Sequence, residues 1–317
     1  MSTTVPAAST ETRAQAPAGR GPKVTLTDRA RHERRLGWWL AGPAFVVMVA
    51  VTAYPILNAI YLSAFYYRLT DPEGRRFVGL GNYVTILTDP LFWRQFAVTA
   101  GITIVTVAFE FVLGFALALV MHRALYLRRW LRTSILIPYG IITVVSAYAW
   151  FYAFTPAYGF VNTVFGLEDY NWFGSTLPAL FVICVSEIWK TTPFMSLLLL
   201  AGLAQIPDDY LEAAKVDGAT AWQRFTKVIV PNMKPAIMVA LLFRTLDAFR
   251  IFDNVFIMTN GAQGTETLSF LTYRQTVTRV MIGLGSACSV VLAILVVLIA
   301  ILFVKGFRTD LSQQRGA

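Results

Sequence analysis

Several stretches of this sequence run for about twenty or more residues with scarcely a charge, and that feature excludes most folds. A buried strand needs far fewer apolar residues, and a helix on a soluble core needs only one apolar stripe. A helical run of about 20 apolar residues covers the roughly 30 Å hydrocarbon core of a bilayer and satisfies its own backbone hydrogen bonds there. Taken in order, the runs place spans near 37–63, 95–121, 131–154, 178–204, 235–259 and 284–304. The expectation is an all-α polytopic membrane protein with about six transmembrane helices.

Orientation follows from where the basic residues fall. The chain is 56% hydrophobic and 14% charged with a formal charge of +9, and that charge gathers beside the spans, which points to lipid and not to nucleic acid as its counterpart. Arg29, Arg31, Arg34 and Arg35 precede the first span, and Arg123, Arg128, Arg129 and Arg132 fill the second connection. Lys215, Arg224, Lys227 and Lys234 follow the fourth span, and Lys305, Arg308 and Arg315 follow the last. Connection 155–177 has neither Lys nor Arg, although Arg68, Arg75 and Arg76 in the first outer loop run against the trend. Cytoplasmic loops carry the Lys and Arg excess, so both termini are expected in the cytoplasm.

Residues 1–36 are rich in Ala, Thr, Pro and charge and show no cleavable apolar leader, so they read as a disordered cytoplasmic tail with a basic juxtamembrane segment. The transmembrane domain is expected over 37–306, with a cytoplasmic loop at 205–234, and 307–317 forms a second tail. Trp38, Trp39, Trp93, Trp130, Trp150 and Trp172 fall near span ends, where an amphipathic ring suits the headgroup region. Cys184 and Cys288 lie in apolar runs without metal-ligand spacing and read as small core residues, and no metal site is expected.

The 205–234 segment, QIPDDYLEAAKVDGATAWQRFTKVIVPNMK, is too regular for a passive connection. Asp208 is placed to cap a first short helix, Asp209 sits in its first turn, and Gly218 suits a left-handed stop. Thr220 and Gln223 then form a T-x-x-Q capping box that starts a second helix. Along it Trp222, Phe225 and Ile229 recur at spacings of three and four, one apolar stripe opposite Gln223, Arg224 and Lys227. Pro231 is expected to end or bend that helix before the fifth span. Taken without more, such a loop could also lie on the membrane surface.

Glu212-Ala213-Ala214, Gly218 and Val228-Ile229-Val230-Pro231 have the spacing of the EAA signature, and here the sequence resembles the membrane subunits of binding-protein-dependent ABC importers. Val stands at both aliphatic positions of the signature's ending. Phe77 to Tyr83, Trp189 to Leu203 with Ile206-Pro207, and Phe252 to Gly261 are similar to the sugar-permease branch. Lys190 to Phe194 and Arg244 to Asn254 resemble its trehalose permeases. The resemblance implies the type I ABC importer permease fold in a bacterial inner membrane, with a sugar, trehalose, as solute. It also implies that Glu212, Ala213, Ala214, Asp217, Gly218 and Pro231 couple the chain to a separate ATPase. The implied partners are a second, non-identical permease, two ATP-binding cassette subunits and an extracytoplasmic sugar-binding protein. ATP and Mg belong to the ATPase, since no G-x-x-x-x-G-K-[ST] occurs here and the chain itself binds no cofactor.

Ionisable groups inside spans are costly and face a partner, a bundle interior or a water-filled path. Glu110, Glu187, Lys190, Arg244, Asp247, Arg250 and Asp253 are such groups. Local Glu187–Lys190 and Asp247–Arg250 pairs would lower the cost of burying them. A sugar path needs hydrogen-bonding groups mixed with aromatic faces, and Glu187, Lys190, Arg250, Asp253, Asn254 and Tyr148 are the candidates for it. Two other functions compete: a proton-coupled secondary sugar transporter relaying through Glu110, Glu187 or Asp247, and a membrane-embedded enzyme using Glu110 and Glu187 as acid and base. The first leaves the loop unexplained. The second lacks supporting chemistry, because His32 and His122 flank spans and neither HExxH nor a nucleophile elbow occurs, so a non-catalytic subunit is expected.

Overall fold

The computed structural model describes residues 28–123, 128–167 and 170–307; most of the expected amino-terminal tail and nearly all of the carboxyl-terminal tail lie outside them. Chain order runs α1 (Asp28–Ser63), a hairpin of β1 (Phe65–Arg68) and β2 (Asp71–Phe77), α2 (Gly81–Thr88), α3 (Pro90–Arg123), α4 (Arg128–Gly140), α5 (Thr143–Phe154) and α6 (Phe160–Phe165). It continues with α7 (Thr176–Leu203), α8 (Asp208–Val216), α9 (Ala221–Arg224), α10 (Val230–Ala248), α11 (Asp253–Met258), α12 (Leu268–Tyr273) and α13 (Ile282–Phe307). The chain divides into two units, 1–55 and 56–317. In the first, α1 begins at Asp28, ahead of the expected start at 37.

Among the described residues, four helices are long and apolar enough to cross a membrane: Arg35–Ser63, Pro90–Arg123, Thr176–Leu203 and Ile282–Gly306. The expected third span is instead a pair, Thr133–Gly140 and Thr143–Phe154, bent by 91° and making five if taken as one span. Pro138 lies just ahead of the break, removes a backbone donor and crowds the preceding turn. The expected fifth span also breaks. Its helix α10 carries Lys234, Arg244 and Asp247 and stops at Ala248, where tight three-residue bonds from Arg250 to Asp247 and from Ile251 to Ala248 close the end before α11 restarts. In contrast, α7 runs unbroken through Pro193, with the Thr191 and Thr192 hydroxyls bonded to carbonyls one turn back.

The bundle of the second unit is built around α3 and α7. Gly114 permits their close approach, since a Cβ there would lie 2.8 Å from Met195 Cγ. One apolar cluster, including Phe115, Met121, Met195, Leu199, Met233 and Ile237, joins α3 and α7 to α10. A second, including Ile102, Ala147, Ile183 and Val255, joins α3 and α7 to α5 and α11. A third packs α2, α12 and α13 around Ile86, Leu271 and Ala287. Cys184 and Cys288 are free thiols. Of the expected interface tryptophans, Trp38, Trp39, Trp93 and Trp130 are exposed, whereas Trp150 packs on Phe154 and Trp172 donates to Asn162 Oδ1 at 2.7 Å.

The hairpin is held by the Phe77 to Tyr83 motif. Gly79 takes φ +55°, which brings its N–H and that of Val78 onto the Ala64 carbonyl. Asn82 is buried and donates to the Ser63 and Phe65 carbonyls at 2.8 and 2.9 Å. The motif therefore has an internal task, closing the end of the hairpin.

Candidate substrate path and coupling loop

Three charges from three helices meet inside the bundle. Arg244 of α10 is wholly buried, as is Glu110 of α3. Its Nε donates to Glu110 Oε2, and its Nη2 donates to Glu110 Oε1 at 2.9 Å and to Glu187 Oε1 of α7 at 2.7 Å. Its Nη1 reaches Asp247 Oδ2 at 2.6 Å. The Thr191 hydroxyl donates to Glu110 Oε1 and Asn254 Nδ2 to Glu187 Oε2, each at 2.7 Å. Every carboxylate oxygen of Glu110 and Glu187 thus accepts at least one bond, the condition for holding charge in an apolar interior. The network ties α3, α7, α10 and α11 together.

The local pairs expected within helices do not form. Glu187 turns to Arg244, and Lys190 donates to the Ile141 carbonyl at 2.6 Å, across the α4–α5 break. Asp247 also turns to Arg244, while Arg250 Nε donates to the Leu246 carbonyl at 3.0 Å. A buried guanidinium fork with five N–H groups can serve Glu110, Glu187 and Asp247 at once, which neither Lys190 nor the exposed Arg250 can do from its own helix.

Beside the network opens a cavity of about 550 Å³. Its walls are the two helix breaks and α7: Tyr139, Ile141, Ile142 and Thr143 from one, Glu187, Lys190 and Thr191 from α7, and Asp247, Arg250, Ile251, Phe252 and Asp253 from the other. Glu187, Lys190, Arg250 and Asp253, four of the candidates for a sugar path, line it. Asn254 sits behind, 2% exposed, orienting Glu187. Tyr148 lies outside, its ring 6.2 Å from that of Tyr152. Tyr139 and Phe252 supply the aromatic surface instead. The lining holds three acids and two bases, and behind it Arg244 is matched by Glu110, so the group keeps one acid in excess. Hydroxyls, aromatic faces and side chains that both donate and accept hydrogen bonds suit a polyhydroxylated ligand.

In the loop, Gly218 takes φ +76° and the Ala219 N–H closes on the Ala214 carbonyl at 2.9 Å, the left-handed stop expected there. The capping box forms both ways, with Gln223 N–H to Thr220 Oγ1 at 3.3 Å and Thr220 N–H to Gln223 Oε1 at 2.8 Å. Asp208 does not cap α8; Pro207 holds that position without a side-chain bond, and Asp208 and Asp209 both lie in the first turn. Nor does Pro231 end the second helix. A π-helical turn, Phe225–Ile229, joins α9 to α10, and Pro231 enters the first turn of α10. Widening the coil just ahead of the proline makes room for its ring.

The loop has two faces. Leu211 and Phe225 pack inward, the latter 5.2 Å from the Phe115 ring, and Ile229 is buried. Glu212, Ala213, Asp217 and Gly218 are exposed, Ala214 is half-buried, and Trp222 is 71% exposed. The predicted stripe is therefore split, with Trp222 left uncovered.

Residues 110–313 match the family described as binding-protein-dependent transport system inner membrane component. The chain is 53% identical over 275 residues to the trehalose transport system permease protein SugA of Mycobacterium tuberculosis, covering 87% of this chain and 89% of that one. It is 36% identical over 293 residues to the trehalose/maltose transport system permease protein MalF of Thermococcus litoralis, covering 90% and 99%. A crystal structure of a bacterial ABC transporter involved in import of the polysaccharide alginate superposes with a TM-score of 0.76 at 21% identity, over 90% of this chain and all of that one, a likeness of fold. With the EAA spacing on an exposed loop and apolar helices around it, these likenesses make the chain a multi-pass member of the inner membrane component family of binding-protein-dependent transport systems.

Proposed function

We propose that this chain is one of two non-identical permeases of an ATP-driven importer, and that its solute is trehalose. The solute class rests on the names of the SugA and MalF relatives and on the cavity lined by hydroxyls and aromatic rings. Coupling rests on one observation above the others: the loop is fastened to the bundle by Leu211, Phe225 and Ile229 while Glu212 and Gly218 face outward. A rigid element with a free outer face transmits force from a docked ATPase into α3 and α10. Glu212, Ala213, Ala214, Asp217 and Gly218 form that face, and Pro231 sets the joint with α10.

In this mechanism the chain catalyses nothing and holds no cofactor; ATP and Mg act on the partner ATPases, and an extracytoplasmic binding protein delivers the sugar. Its organisation is a tail over 1–36, a permease domain over 37–306 containing the 205–234 coupling loop, and a tail over 307–317. Glu187, Lys190, Arg250 and Asp253 contact the sugar, with Asn254 positioning Glu187. Tyr148 contributes from outside the cavity, if the path extends along α5. A proton relay is disfavoured because Glu110 and Glu187 already accept from Arg244, Thr191 and Asn254.

Vesicles carrying this chain with its partner subunits and binding protein are expected to take up labelled trehalose with ATP and not with an imposed proton gradient. Glu212→Lys reverses a charge at the docking face; like-charge contact costs several kcal/mol, so uptake should fall by about tenfold or more. Uptake driven by the proton gradient without nucleotide, or unchanged in E212K, would overturn the proposal.

A further inference from the structure

A second cavity, of about 580 Å³, lies behind the coupling loop, within the usual size of a small-molecule site. Its floor is apolar, formed by Leu119 of α3, Leu203 of α7, Leu211 of α8 and Ile229. Its polar wall carries Arg123, Lys215 and Arg224 with His122 beside them, against Asp208 as the one lining carboxylate. Among the described residues, none of Arg123, Lys215 and Arg224 forms an ion pair; Arg224 Nη1 makes a long 3.5 Å bond to the Ala219 carbonyl. Three cations from two separate parts of the chain therefore converge on one concavity whose lining holds a single carboxylate, Asp208.

The composition selects the missing anion. Two guanidinium forks and a point-charge ammonium are the donor set that holds a phosphate group. The apolar floor beneath them accepts the carbon skeleton to which that phosphate is attached. Glu212 and Gly218 do not line the cavity, so an occupant there and a partner on the outer face of the loop use different side chains.

We propose that this cavity binds a phosphate-bearing ligand, either an anionic phospholipid headgroup or a phosphorylated metabolite, and that the ligand fastens the coupling loop to α3 and α7. A filled site ties α8 and α9 to the end of α3 through the same phosphate, which reduces the loop's freedom and improves transmission of force. Regulation of uptake by the ligand is the consequence.

The test uses the assembled transporter in nanodiscs of phosphatidylcholine, with phosphatidylglycerol added in one arm and glucose 6-phosphate in another. Native mass spectrometry reads binding, and amide exchange over 208–224 reads loop order. Binding of phosphatidylglycerol alone identifies the lipid source, and binding of glucose 6-phosphate alone the soluble one. In either case the arm that binds should slow exchange in the loop. Arg123→Gln/Arg224→Gln should weaken binding by about tenfold or more, the cost of losing charge-assisted bonds. Arg123→Gln alone alters α3 outside the loop and should weaken it in the same direction, whereas Arg123→Lys should retain most of it. If neither probe binds the unaltered transporter more tightly than the double variant, or if binding leaves exchange in 208–224 unchanged, the proposal is wrong. Because binding is read without transport, its failure leaves the coupling mechanism untouched.

Discussion

Arg244→Met probes the centre of the bundle. The substitution keeps an unbranched side chain but removes three bonds to buried carboxylate oxygens and one to Asp247. The Asp247 side chain is 64% exposed, so that bond is screened and adds little. A hydrogen bond to a charged group contributes about 1.5–3 kcal/mol, which sets a ceiling of roughly 5–9 kcal/mol for the three buried ones. Relaxation of the surrounding side chains relieves part of that, and the expected loss is the about 3–5 kcal/mol typical of a buried pair broken on one side. At about 2 °C per kcal/mol for a large chain, Tm should fall by about 6–10 °C in a fluorescence-detected thermal unfolding scan of the purified transporter. Glu110→Gln added to Arg244→Met neutralises one stranded carboxylate, so the double variant should lose about 2 kcal/mol less than the two single losses combined. An Arg244→Met shift below about 2 °C, with additive behaviour in the double variant, would refute the claim that this network holds α3, α7 and α10 together.

Gly114→Val places side-chain carbon where a Cβ already lies 2.8 Å from Met195 Cγ and 3.2 Å from the Ser196 nitrogen; thermal unfolding should register an overpacking loss of about 1–3 kcal/mol, with Gly114→Ala nearer the lower end. Gly218→Ala forces a side chain to φ +76°, and Thr220→Ala removes the capping box; each costs about 1 kcal/mol locally, so amide exchange over 208–224 should quicken about fivefold while the Tm of the bundle hardly moves. Glu266, in the connection between α11 and α12, has its carboxyl raised above its ordinary value of 4.5, by burial first, with Arg274 and a bond from Gln95 opposing. The folded state thus holds that proton more tightly than the unfolded one, so the contribution is complete in acid and is lost as pH rises through the folded value. Glu266→Gln should flatten that part of the Tm profile against pH.

The long helices α3, α7 and α13 were legible because an apolar run of that length, broken by few charges, has one stable environment, lipid and neighbouring helices, whatever else the chain does. The loop was legible for a different reason. A capping box joins residues three apart, and a left-handed glycine is a property of one residue, so both were readable without any tertiary contact. The charges in the spans were visible as anomalies, but their partners were not. Glu110 and Arg244 are separated by most of the bundle in sequence, and the local alternatives Glu187–Lys190 and Asp247–Arg250 had equally good helical spacing. The sequence signal that pointed to them was only that lone charges of opposite sign occupied different apolar spans.

The breaks mark where sequence reasoning stopped. Pro138 and Pro193 have the same backbone chemistry, yet the helix breaks with a 91° bend just beyond the first and continues unbroken through the second. Hydroxyls of Thr191 and Thr192 take up carbonyls beside Pro193, whereas Lys190 reaches across to the Ile141 carbonyl beyond Pro138. Tyr139, Ile141, Ile142 and Thr143 at that break line the cavity, and Tyr148 does not. By itself the sequence determined a membrane-spanning helical chain and a capped, signature-bearing loop, because transfer of apolar side chains to lipid and local backbone capping depend on near neighbours. The tertiary structure decided which charges neutralise one another and which side chains surround the cavity beside them, because those energies depend on distances between helices far apart in the chain.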